Sequence, residues 1–117
     1  MAIVERHEST DRQLALLVDF TDGDWTIGFD GFPYHTHGDV LAETEYAGTP
    51  EQATRSFVAD ILASRRPIVI WRVHGKIRDL GVPQQLNRAD LDADIAKYGF
   101  PGETWEARYW DGRAMAG

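Results

Sequence analysis

Between Thr49 and Val73 the chain carries a complete helix signature followed at once by a strand signature. Thr49 is an N-cap residue, Pro50 suits the first helical position, and Gln52 at the third completes a capping box. Ala53, Phe57, Val58, Ile61 and Leu62 then recur on one helical face. Arg65 and Arg66 stand at the end, where positive charge complements the helix dipole, and Pro67 stops the helix. The run Ile68-Val69-Ile70-Trp71-Arg72-Val73 is apolar and rich in β-branched residues, as a central strand requires. An apolar helix face followed directly by such a strand predicts a helix packed on a sheet.

The flanking segments agree. Leu14, Leu16, Val18 and Phe20 alternate, Thr21-Asp22-Gly23-Asp24 supplies a turn, and Trp25, Ile27 and Phe29 alternate again. Residues 13–30 therefore read as a hairpin. Val40, Ala42, Thr44 and Tyr46 alternate with Leu41, Glu43 and Glu45, which favours a third strand over a short helix. After the central strand, His74-Gly75 turns the chain into Lys76 to Val82, with Arg72 diagonal to Asp79 as an expected ion pair. Asn87 caps a second helix with Leu91, Ile95 and Tyr98 as its stripe, and Gly99 is placed to end it in a left-handed conformation. A final strand spans Thr104 to Trp110, with Trp105 and Trp110 on opposite faces. Residues 1–11 and 111–117 read as loose ends. The order predicts an α+β fold, one domain over residues 1–117, with a mostly antiparallel sheet and two helices on one face.

Composition removes several functions. The 117 residues include no cysteine, so disulfide scaffolds, thiolate zinc sites and cysteine nucleophiles are excluded. Nineteen acidic against twelve basic residues give a formal charge of −7, which repels phosphate backbones and argues against nucleic-acid binding. No apolar run reaches the roughly 20 residues of a membrane helix, and the start of the chain lacks a secretory pattern. The expectation is a cytoplasmic protein without membrane attachment. No Gly-rich phosphate loop and no nucleophile elbow is present, and no cofactor is expected.

His35-Thr36-His37-Gly38-Asp39 is the densest chemical motif. Side chains two apart on a strand share a face, so His35, His37 and Asp39 form a candidate metal site requiring one distant further ligand. The run resembles the first half of the metallo-β-lactamase-fold motif. Val40 stands where that motif needs another histidine, and its sandwich is far larger than this chain, so that family is excluded. Glu43 and Glu45 could pair on one strand face, an arrangement better read as a solvated edge than as a glycosidase dyad.

A small, acidic, cysteine-free α+β domain with several aromatic residues resembles the immunity proteins of bacterial toxin systems, which block a toxin by binding it. The resemblance implies a protein-binding module, with acids matching a basic partner and aromatics filling its pockets. Tyr34, Glu43, Glu45 and Tyr46 are the partner-binding candidates, on the expectation that residues 34–46 lie at the surface. A small metal-dependent enzyme at His35, His37 and Asp39, and a subunit of a larger complex, are the competing readings.

Overall fold

The computed structural model describes residues 3–115. The elements run β1 (Ile3–Glu8), β2 (Ala15–Thr21), β3 (Asp24–Phe29), β4 (His35–His37), α1 (Gly38–Thr44), α2 (Pro50–Leu62), β5 (Ile68–Val73), β6 (Lys76–Gly81), α3 (Arg88–Tyr98) and β7 (Glu103–Arg108). The α+β class holds and every strand pair is antiparallel. The strands divide into two sheets, ordered β1-β2-β3-β4 and β6-β5-β7, and there are three helices among the described residues rather than two. None of these helices is long and apolar enough to cross a membrane.

Local chemistry explains the best-defined elements. Asp22 and Gly23 take φ of 52° and 78°, and His74 and Gly75 take 52° and 79°. Paired positive φ values match the twist of tight hairpins, so both two-residue turns form as their sequences predict. At α2, the Thr49 side chain accepts from the Gln52 N–H while Gln52 accepts from the Thr49 N–H, the reciprocal capping box. One continuous core joins both sheets: Leu14, Leu16, Val18, Ile27 and Phe29 meet Phe57, Val58 and Ile61 of α2, and Ile68, Ile70, Leu80, Val82 and Trp110 close it from the other side.

Several expectations are corrected. The N-terminal arm is largely ordered: residues 3–8 pair with β2 as an outer strand. The tail returns along β7, with the Met115 N–H donating to the Ala107 carbonyl. Residues 1, 2, 116 and 117 lie outside the described residues. The segment expected as a third strand is mostly helix α1. A register shift between Trp71 and Arg72 places Arg72 opposite Ile77, and its guanidinium pairs with Glu106 of β7 at 2.7 Å rather than with Asp79. Gly99 is extended at φ −71°. Glycine is needed there because a Cβ would lie 2.5 Å from the Ile95 carbonyl oxygen. Helix α3 buries no residue. It leaves Tyr98 exposed, and Phe100 just beyond it is exposed too.

The corrected helix α1 is held by a buried cation. The Arg66 guanidinium, just past α2, lies 2.6 Å from Glu45 Oε1. It also donates to the Tyr46 hydroxyl and the Val82 carbonyl, and sits over the Phe57 ring at 4.9 Å. Removing one partner of a buried pair leaves an uncompensated charge. Glu45→Leu should therefore destabilise the protein by about 3 kcal/mol, and Glu45→Leu combined with Arg66→Met should recover most of that loss. Denaturant titration of both variants checks this. Phe57→Ala should cost about 3–5 kcal/mol in the same measurement, and a loss below about 1 kcal/mol would show that face to be misassigned.

The two sheets are also tied by Arg108 of β7, whose guanidinium meets Asp11 at 2.5 Å. That hydrogen bond holds the Asp11 carboxyl at about 2, against its ordinary value of 3.8. A depressed carboxylate stabilises the fold above its ordinary pKa, and the contribution fades as pH falls from about 4 towards 2. Asp11 is partly exposed, so solvent screening limits this to about 1 kcal/mol. Asp11→Asn should lower stability at neutral pH and flatten its acid dependence between those limits, read from unfolding curves across pH.

Candidate functional site

The β2–β3 turn carries Asp22, and Asp24 opens β3 at the same end of the first sheet. The register of β3 with β4 sets His37 opposite Thr26, beside Asp24. His37 Nδ1 lies 3.1 Å from Asp24 Oδ2 and 3.3 Å from Thr26 Oγ1. An ionised carboxylate only accepts, so this contact places the proton on Nδ1. The chain then turns sharply at Gly38, which is buried. A Cβ there would meet Thr54 Oγ1 at 2.6 Å and the Pro50 carbonyl at 2.7 Å. This close approach wedges the start of α1 against α2 and brings Asp39 and Val40 round to face the hairpin. The result is an open groove of about 460 Å³ lined by Asp22, Gly23, Asp24, Trp25, His37, Asp39, Val40 and Pro50.

The three residues of the candidate metal site are split by that turn. The rings of His35 and His37 meet edge to face at 5.2 Å. His35 Nδ1 is engaged by the Pro33 carbonyl at 3.0 Å, whereas His37 is engaged by Asp24. Asp39 lines the groove, with its Oδ1 accepting from the Val40 N–H. Among the described residues no three His, Asp or Glu side chains converge as a ligand set. The partner of His37 is Asp24, 13 residues away in sequence and adjacent only through strand register.

Three of the four partner-binding candidates are held in internal contacts. Glu45 is the counter-ion of Arg66, with 17% of its side chain exposed. The Tyr46 hydroxyl donates to Asp60 Oδ2 at 2.6 Å and its ring lies edge-on to Phe57. Burial, together with that bond to Asp60, raises the Tyr46 phenol pKa. The same bond, reinforced by Arg65, holds the Asp60 carboxyl below the usual range against the cost of its burial. Tyr34 is half-buried between the sheets, near Phe29 and Gly81, and burial raises its pKa as well. Glu43 alone of the four is exposed. Helix geometry also separates Glu43 from Glu45, since residues two apart do not share a helical face.

The combination of aromatics framed by acids exists, but at the hairpin tip. Phe20 is 40% exposed and its ring lies 4.5 Å from that of Trp25, which lines the groove. Ile3, opposite Asp19, its neighbour Val4, and Val40 across the groove are each about half exposed. Phe20 and Val40 thus flank Trp25 at the hairpin tip, while Ile3 lies over the other face of the sheet beside Leu17 and Thr26. Charge segregation is the sequence signal for this site. Residues 13–54 contain eight carboxylates and no lysine or arginine. Arg55, the first cation after that stretch, stacks over Trp25 at 5.8 Å and is paired with Glu5 and Glu51.

The chain matches no protein-family model, no curated protein and no solved structure.

Proposed function

We propose that this protein is a protein-binding module of the immunity type, which neutralises a basic protein partner by covering it with the hairpin-tip end of the first sheet. The observation that carries this reading is the coincidence of exposed and half-exposed apolar side chains with carboxylates that no lysine or arginine answers there. Phe20, Trp25 and Val40 stand beside Asp22, Asp24 and Asp39, and no lysine or arginine lines the groove. Aromatic side chains exposed at a surface are the usual energetic centre of a protein interface. Carboxylates around them attract and orient a cationic partner, and they act mainly on the rate of encounter. The strands and the helix-to-helix wedge at Gly38 fix these groups in place, so little ordering entropy is lost on binding.

The division of labour is testable on a partner recovered at low ionic strength. Asp22→Lys combined with Asp39→Lys should slow association by about tenfold or more and flatten its salt dependence, with little change in dissociation. Phe20→Ala should instead speed dissociation, at a cost of about 2 kcal/mol if the ring is a central anchor. Surface plasmon resonance at several salt concentrations reads both effects. Unchanged kinetics in both variants would place the interface elsewhere, and failure to recover any basic partner would remove the immunity reading.

A further inference from the structure

The first sheet ends at β1, which has no neighbour on its far side among the described residues. Of the other outer strands, β4 is three residues long and passes at once into α1, the end of β7 is met by the returning tail at Ala107 and Arg108, and β6 borders the second sheet. The Ser9 N–H donates to the Leu14 carbonyl, closing the β1–β2 ladder at one end. Ladder bonds alternate along an antiparallel strand. Counting back from Ser9, the residues bonded to β2 are His7 and Glu5, so the backbone N–H and C=O groups of Arg6 and Glu8 point away from it. Their side chains lie on the same face, 3.7 Å apart at the nearest charged atoms.

We propose that β1 is a self-association edge: a second copy of this chain pairs with it antiparallel, about a two-fold axis at His7, to make one eight-stranded sheet. Hydrogen-bond parity and charge select this register. Outward-facing residues must pair with outward-facing residues, so the axis falls on a residue, not between two. An axis at Arg6 sets Arg6 against Arg6, and an axis at Glu8 sets Glu8 against Glu8, both repulsive. An axis at Glu5 runs into the register shift between Ile3 and Glu5 and leaves both charges without an opposite partner. An axis at His7 places Arg6 of each copy opposite Glu8 of the other, twice. Arg6 already holds Asp30 at 2.9 Å, and its fork of five donors can accept a second carboxylate. The groove at the hairpin tip lies at the other side of the sheet, so the dimer carries two grooves facing outwards.

The absence of cysteine makes the register directly readable. In a pair centred on the axis the two Cα atoms lie about 4.5 Å apart, within reach of a disulfide. Glu5→Cys, Arg6→Cys, His7→Cys and Glu8→Cys each report one register under mild oxidation, with Gln84→Cys as an exposed control. His7→Cys should cross-link fastest, and sedimentation equilibrium of the unmodified chain should show a concentration-dependent dimer. Arg6→Glu and Glu8→Arg should each weaken that dimer, and the two together should restore it. The proposal is overturned if His7→Cys cross-links no faster than Gln84→Cys, or if position 6 or 8 cross-links instead, in variants whose thermal unfolding shows them folded. Partner binding is measured on the same variants. It is expected to survive loss of the dimer, which separates this edge from the hairpin-tip reading.

Discussion

A single buried cation organises the middle of this protein. Arg66 ends the segment that follows α2, and the chain then enters β5, the central strand of the second sheet. Its guanidinium is removed from water, which costs several kcal/mol unless opposite charge and hydrogen bonds surround it. Glu45 supplies the charge from the end of α1, Tyr46 and the Val82 carbonyl supply acceptors, and Phe57 and Tyr46 supply ring faces. Those groups come from three separate stretches of chain, so satisfying one ion fixes α1 against α2 and both against the second sheet. The satisfaction is incomplete, since Arg66 Nε is buried without a partner. The interaction is therefore better understood as specifying one arrangement than as adding much net stability.

The acidic residues of the chain fall into two populations. Glu45 answers Arg66, Asp11 answers Arg108 and Glu103 answers Arg78, each spending its charge inside the fold. Asp22, Asp24 and Asp39 have no arginine or lysine among the groove residues, so part of the net negative charge of the sequence gathers at the hairpin tip. A charge of −7 spread evenly would say little about recognition. Three carboxylates set beside exposed Phe20 and half-buried Trp25 give the hairpin tip a local polarity.

Legibility in the sequence followed the range of the interactions. Helix α2 and both hairpins were readable because capping boxes and left-handed turn pairs are written within four residues. Residues 40–46 alternate like a strand, yet they form mostly helix because their anchor, Arg66, lies 20 residues beyond Tyr46. β1 reads as loose in the sequence because an outer strand rich in charge carries no apolar alternation. The stripe expected on α3 fails in a different way: Leu91 and Ile95 are half-buried against the second sheet, but Tyr98 points to solvent. At the site, proximity in sequence was misleading. His37 and Asp39 are separated by the sharp entry into α1, whereas Asp24 reaches His37 through strand register.

Helix α3 buries no residue, and much of its hold on β7 comes from the Trp105 indole N–H donating to Asp92 and from Arg88 stacked over the same ring. Cooperative units with little buried apolar area open at a small fraction of the global unfolding free energy. The far end of the molecule is therefore a separate, weak foldon. It can fray and reclose many times during the lifetime of the native core, and its amides exchange with solvent long before those of β5. Proteolytic nicking would enter the chain there, between the second hairpin and β7, and leave the first sheet intact.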